Sequence, residues 1–174
     1  MSKPLRDPYP PDLAEEPPAE VEFGDLVDTV AADVDWANRR AQRLSALRVE
    51  LRRCRLTGTE LAEATLRDVT FDECRIDLVG LRHARLERVV FRDCRMSDCD
   101  FYGSSLCDVL FERCELREAT FSTCTFERVE LRGCDLAGLR GPEALRGARL
   151  PWSDIVGNAA LFATALGLEI VDQA

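Results

Sequence analysis

Between Val49 and Gly138 a large apolar residue returns at every fifth position without interruption. Counting from Leu51, the series runs through Leu56, Leu61, Leu66, Phe71 and Ile76 to Leu131 and Leu136, eighteen consecutive hits. Two residues before each stands a small or β-branched residue, such as Val49, Cys54, Thr59 and Ala64, so the unit is small–x–large–x–x. An α-helix turns by roughly 500° over five residues, so the large side chains would land about 140° apart and form no buried face. A flat strand alternates with period two, and an odd step would send successive large residues to opposite sides. A chain that keeps them all inside must lay the triplet on a short extended side and turn a corner with the other two residues.

The number of sides per coil follows from a longer period. Every twentieth residue from Val49 is valine (Val49, Val69, Val89, Val109, Val129), and every twentieth from Cys54 is cysteine (Cys54, Cys74, Cys94, Cys114, Cys134). Twenty residues at five per side make four sides, with like residues stacked in columns. Such a repeat specifies a solenoid in which each unit buries its apolar edge only against its neighbours.

The runs Phe71-Asp-Glu-Cys-Arg, Phe91-Arg-Asp-Cys-Arg, Phe111-Glu-Arg-Cys-Glu and Leu131-Arg-Gly-Cys-Asp resemble the pentapeptide-repeat proteins. The resemblance implies an all-β solenoid, a right-handed quadrilateral parallel β-helix. At the usual inter-strand spacing its roughly 4.5 coils would make a rod about 22 Å long.

A chain of 174 residues that is 46% apolar can support one continuous core. No charged segment followed by an apolar run opens it, and no apolar stretch approaches the length of a membrane span, so a soluble, cytoplasmic protein without membrane contact is expected. A net charge of −9 argues against direct nucleic-acid binding, which needs clustered Lys and Arg. Five of the eight cysteines fall in one inward column, where a small, weakly polar side chain fits; packing explains them better than disulfides.

Residues 1–22 carry six of the eight prolines and a cluster of acids, and read as a disordered tail. Residues 23–48 are an N-terminal cap, either a helix or a degenerate first coil; Trp36 falls in register with the later large positions and favours the coil, with its ring plugging the open end. Residues 49–138 are the β-helix. In residues 139–174 the register breaks at Gly141-Pro142, Pro142 to Gly147 read as one helical turn, and Ala148-Arg149-Leu150 restores the triplet. A helix over about 153–166 follows, with Ser153 or Asp154 as N-cap and Gly167 as terminator, forming a short C-terminal α-helical cap.

With an apolar interior, any activity must use the outward positions. At twenty-residue intervals Asp68, Arg88, Asp108 and Arg128 alternate in sign, so neighbouring coils should neutralise one another by about 0.2 to 1 kcal/mol per pair. The repeat holds eighteen acids against fourteen arginines, a net of −4. The most acidic strip is Asp98, Asp100, Glu115, Glu118 and Asp135, a candidate partner surface. Candidate apolar contact or dimer residues are the outward pair Val90 and Leu110 and, on the C-terminal helix, Ile155, Phe162 and Leu166. Tyr102 and His83 are expected near each other. Cys107 points outward and is the expected exposed, alkylatable thiol.

Enzymatic chemistry finds no footing. His83 is the single histidine, so no histidine-based triad with a spare ligand and no multi-histidine metal site is available, and no Gly-rich phosphate loop or Cys-x-x-Cys occurs. No cofactor is expected. The residues describe a non-enzymatic scaffold for an unidentified protein partner. The resemblance adds two expectations: a homodimer joined through the C-terminal helix, and, as the alternative role, a DNA mimic that regulates or protects a type II topoisomerase, DNA gyrase, and confers fluoroquinolone or toxin resistance. A mimic needs uncompensated acid along its faces.

Overall fold

The computed structural model describes residues 4–12 and 21–171. Six strands, β1 (Leu26–Ala32), β2 (Ser45–Arg52), β3 (Thr65–Asp72), β4 (Arg85–Arg92), β5 (Ser105–Glu112) and β6 (Thr125–Arg132), form one parallel sheet in chain order. Each strand pairs with the next at an offset of twenty: Val49 with Val69, Phe71 with Phe91, Val89 with Val109. The remaining sides are joined by single bridges at the same offset, among them Arg55 to Arg75 and Glu60 to Gly80. The result is a β-solenoid of about five turns.

The coils begin earlier than Val49. β1 and the bridges from Asp35 and Arg40 make residues 26–45 a complete first coil, and Trp36 is buried, edge-on to Phe23 with ring centroids 5.9 Å apart. A coil prevails over a helix here because β2 would otherwise expose a row of unpaired backbone groups. Residues 4–12 differ from the expected disordered tail as well: they lie along the outside of the solenoid. Residues 1–3 and 13–20 fall outside the described residues.

Every fifth backbone position turns a corner in the left-handed region, from Asp28 (φ 48°) through Arg48 (53°), Asp68 (56°) and Arg88 (53°) to Arg128 (54°). An L-residue pays roughly 1–2 kcal/mol in Cβ sterics for this conformation. The corner is held because its own N–H reaches the next coil: Arg53 N–H donates to the Asp72 carbonyl at 2.8 Å, and Glu73 N–H to the Arg92 carbonyl at 3.0 Å.

Inside, the large side chains stack as the period requires. Phe71, Phe91 and Phe111 lie face to face at 4.9 and 5.1 Å, and Phe101 faces Phe121 at 4.9 Å. The small positions admit polar atoms only where a carbonyl receives them: Thr59 Oγ1 donates to the Trp36 carbonyl at 2.9 Å and Ser104 Oγ to that of Leu81 at 2.6 Å. Cys54, Cys74, Cys94 and Cys114 are buried, with each Sγ 3.4–3.6 Å from the carbonyl oxygen 23 residues earlier. Cys134, in the last coil, is half-buried.

After the break at Gly141, a 3-10 turn (Pro142–Leu145) buries Leu145, and Arg149 bridges to Glu130, giving β6 an edge partner. The expected helix over 153–166 is two short ones, α1 (Trp152–Gly157) and α2 (Ala159–Ala165). They meet at Asn158, which leaves helical geometry (φ −112°, ψ 22°) and whose side-chain amide donates to the Asp154 carbonyl at 2.8 Å. Asparagine competes for backbone in this way and interrupts helices. Neither Ser153 nor Asp154 caps the N-terminus. Pro151 stands at that position, and Asp154 instead accepts the Gly133 N–H at 2.5 Å, tying α1 to the last coil.

Candidate interaction surfaces

The four-sided coil places the corner residues of successive turns directly over one another, and the sequence alternates their charge along the Asp28 to Arg128 column and sets opposite charges on some neighbours in the others. Six such pairs form ion pairs across neighbouring coils: Asp28–Arg48, Asp33–Arg53, Arg43–Glu63, Asp68–Arg88, Asp93–Arg113 and Asp108–Arg128. In most of them the arginine fork grips both carboxylate oxygens, for example at 2.6 and 2.9 Å in Asp68–Arg88. The Arg48 hydrogen bonds hold Asp28 well below the usual carboxylate range, at about 2, and the Arg128 bonds do the same for Asp108. For Asp68, burial pushes the pKa up, but Arg88 and the Tyr9 amide outweigh it and the net shift is downward.

One of these corner columns is covered. Asp68, Arg88 and Asp108 lie on the outside of the coil and yet are 4%, 6% and 2% exposed. Residues 4–12 run along this column as an extended strap. The strap's amides donate to three carboxylates in turn: Arg6 to Asp108 at 3.3 Å, Tyr9 to Asp68 at 3.0 Å, and Asp12 to Asp28 at 2.9 Å. The Arg6 side chain adds an ion pair to Asp108 at 3.0 Å, and the Tyr9 ring sits 5.5 Å from the Arg88 guanidinium. Sequence reading missed this element, because prolines and acids signal a tail that cannot build a core. The signal that could have found it is the three-residue spacing of half-buried Leu5, Pro8 and Pro11, which suits a polyproline-type helix.

The candidate residues fall as follows. The acidic strip is compensated: Asp98 and Glu118 face Arg140 (3.9 and 3.1 Å), Asp100 faces Arg82 (3.6 Å), Glu115 faces Arg95 (3.5 Å) and Asp135 faces Arg117 (2.6 Å). Val90 is not the exposed contact residue expected; it is buried, and its neighbour Leu110 is half-buried, on the same sheet face beside the strapped column. His83 and Tyr102 do meet, edge to face at 5.7 Å, with Arg82 over the Tyr102 ring at 5.1 Å. Cys107 faces outward but is only half-exposed. Arg128 donates to its Sγ at 3.1 Å and favours the thiolate, but burial outweighs this and pushes its pKa up, so it is not the open thiol expected.

At the C-terminal end, Leu161 and Phe162 turn inward and pack against the core, while Ile155 and Leu166 are exposed. Trp152, Val156, Leu168, Ile170 and Val171 are exposed with them; this end carries seven of the eleven large apolar side chains exposed among the described residues. No group of three or more His, Cys, Asp or Glu there or elsewhere among the described residues could hold a metal ion, and no described helix is long and apolar enough to cross a membrane.

Comparison with known proteins decides the family. A family model for the pentapeptide repeat region matches residues 45–121, and a second, for pentapeptide repeats in eight copies, matches residues 104–139. The chain belongs to the pentapeptide-repeat family. Among solved structures, a pentapeptide-repeat protein from the Arabidopsis thaliana thylakoid lumen shares 16% identity and a TM-score of 0.52, over 55% of this chain and 66% of that one. QnrB1, a plasmid-mediated fluoroquinolone resistance protein, shares 14% identity over 80% of this chain and all of its own, with a TM-score of 0.39. HetL, involved in heterocyst differentiation regulation in Nostoc sp. strain PCC 7120, shares 15% identity over 74% of this chain and 73% of its own, with a TM-score of 0.31. The first of these likenesses shows a shared fold and not a shared partner. No curated protein sequence matches the chain.

Proposed function

We propose that this pentapeptide-repeat protein is a non-enzymatic scaffold of the cytoplasm that binds another protein along its coil faces and pairs with a second copy through its C-terminal end. The observation that supports this most is the division of its surface. Charged side chains on the faces are largely spent on one another, whereas Trp152, Ile155, Val156 and Leu166 remain uncovered at one end. Exposed apolar side chains gathered in one region are characteristic of contact surfaces. Eight cysteines without a disulfide suit a reducing compartment.

The same charge pairing weighs against a DNA mimic, since each acid of the Asp98 to Asp135 strip has an arginine within 4 Å. Two measurements test the reading. Sedimentation of the purified protein should give a dimer that Trp152→Glu with Leu166→Glu converts to a monomer. Supercoiling by DNA gyrase should be unaffected by the protein, with or without a fluoroquinolone; inhibition or drug relief that is lost on charge reversal of Asp98, Asp100 and Glu118 would replace the scaffold with the gyrase-directed reading.

A further inference from the structure

The strap contacts are spaced by two matched rulers. Arg6, Tyr9 and Asp12 are three residues apart, and their acceptors Asp108, Asp68 and Asp28 are forty apart, which is two coils. Three residues of a polyproline-type helix advance about 9.3 Å, and two coils at the parallel-strand spacing rise about 9.6 Å. An extended chain of that pitch therefore meets a carboxylate with the same face at every third residue. Leu5, Pro8 and Pro11 are accordingly the half-buried residues of the strap, and the residues between them are more exposed, although Arg6 and Tyr9 still touch the column. A shallow cleft of about 150 Å³ between Pro8–Pro11 and Val49, Glu50, Asp68 and Thr70 continues along this face.

The chemistry of recognition is mostly backbone chemistry. Each of the three aspartates is already oriented by an arginine of the next coil, Arg48, Arg88 or Arg128, and offers an oxygen to a main-chain N–H. A carboxylate fixed in this way is a strong, directional acceptor. The demands on the occupant are an extended conformation, an amide at every third position and proline between the amides. An aromatic ring above the Arg88 guanidinium adds to them. None of these demands is particular to residues 4–12.

We propose that the Asp28–Asp68–Asp108 column is a binding site for extended, proline-punctuated polypeptide, that residues 4–12 occupy it in cis, and that a partner protein's segment of the same kind enters by displacing them. The proposal rests on the scaffold reading and gives it a ligand class. Its test uses a different readout, so either can fail alone.

The probe is a fluorescein-labelled synthetic peptide of residues 4–12, titrated into the full chain and followed by anisotropy. Pro8→Gly with Pro11→Gly, made in the full chain, loosens the strap without touching the coil. This variant should bind the peptide at least about tenfold more tightly than the unaltered chain, because its own competitor has been weakened. A peptide carrying an N-methyl group on the Tyr9 amide loses the donor to Asp68 and should bind at least about tenfold more weakly to the same variant, with the protein's fold untouched. Absence of saturable binding by the loosened chain, or equal binding of the methylated peptide, overturns the proposal. An unaltered chain that sediments as a dimer and dissociates when the peptide is added would assign the column to a second copy's strap and overturn its assignment to a partner protein.

Discussion

The ring of Phe91 lies 4.9 Å from that of Phe71, twenty residues earlier, and the two planes differ by only 8°. Phe111 continues the stack on the other side at 5.1 Å. Phe91 is fully buried, so truncation removes two stacked contacts and leaves a hole that the coils above and below cannot close without breaking their ladders. Phe91→Ala should cost about 3 to 5 kcal/mol in urea denaturation. A loss below about 1 kcal/mol would mean that the column does not form the core.

Burial, not pairing geometry, sets what a corner ion pair contributes. Asp68–Arg88 and Asp33–Arg53 have the same offset and the same forked geometry, but their side chains are 4% and 7% exposed in the first and 64% and 53% in the second. Arg88→Met strands a carboxylate under the strap and should destabilise by about 3 kcal/mol. Arg53→Met should leave the urea midpoint within error. Equal losses in the two variants would contradict this account.

Acid should release the strap. Asp108 and Asp28 are held at about 2, below the ordinary carboxylate value, and Asp68 is also lowered. A carboxyl with a depressed pKa in the folded state contributes its full stabilisation above the unfolded value, near 4, and loses it as pH falls through the folded value. Amide exchange at Tyr9 and Asp12 should stay protected from pH 7 to about 4, after correction for intrinsic rates, and rise progressively between about 4 and about 2. Loss of protection near pH 6 would show that other groups hold the strap.

The thiols give a direct reading of register. Cys54, Cys74, Cys94, Cys99 and Cys114 are buried and should resist iodoacetamide in the native protein. Cys107 should react, but more slowly than a thiol in the unfolded chain, because burial raises its pKa by more than the neighbouring Arg128 guanidinium lowers it. Peptide mapping that finds Cys74 or Cys94 labelled first would sink the stacking assignment.

What could be read along the chain is whatever the five-residue unit repeats. Each unit interacts with the units twenty residues before and after it, so Phe71 over Phe91, Val69 over Val89 and the alternating corner charges follow from period alone. The break at Gly141 and the inward turn of Pro142–Leu145 were legible for a similar local reason, the punctuation of glycine and proline.

Where repetition ends, reading becomes less secure. Asn158 divides a segment whose apolar spacing suggests one helix, because its side chain captures the Asp154 carbonyl. Within the repeat itself, Val90 and Leu110 stand at outward positions, but the three-dimensional face they share is sheltered.

The amino-acid order by itself determined the solenoid, its four sides and its buried columns, since a solenoid is held by contacts whose sequence separation never changes. Only the tertiary structure decided the course of residues 4–12. Their partners lie 16, 59 and 102 residues away and come into line only after five coils have stacked. The contacts are made mainly by backbone amides, so the three-residue spacing of Leu5, Pro8 and Pro11 does not say which carboxylates receive them. Composition could register the prolines of that segment, but not the row of aspartates waiting at the matching pitch.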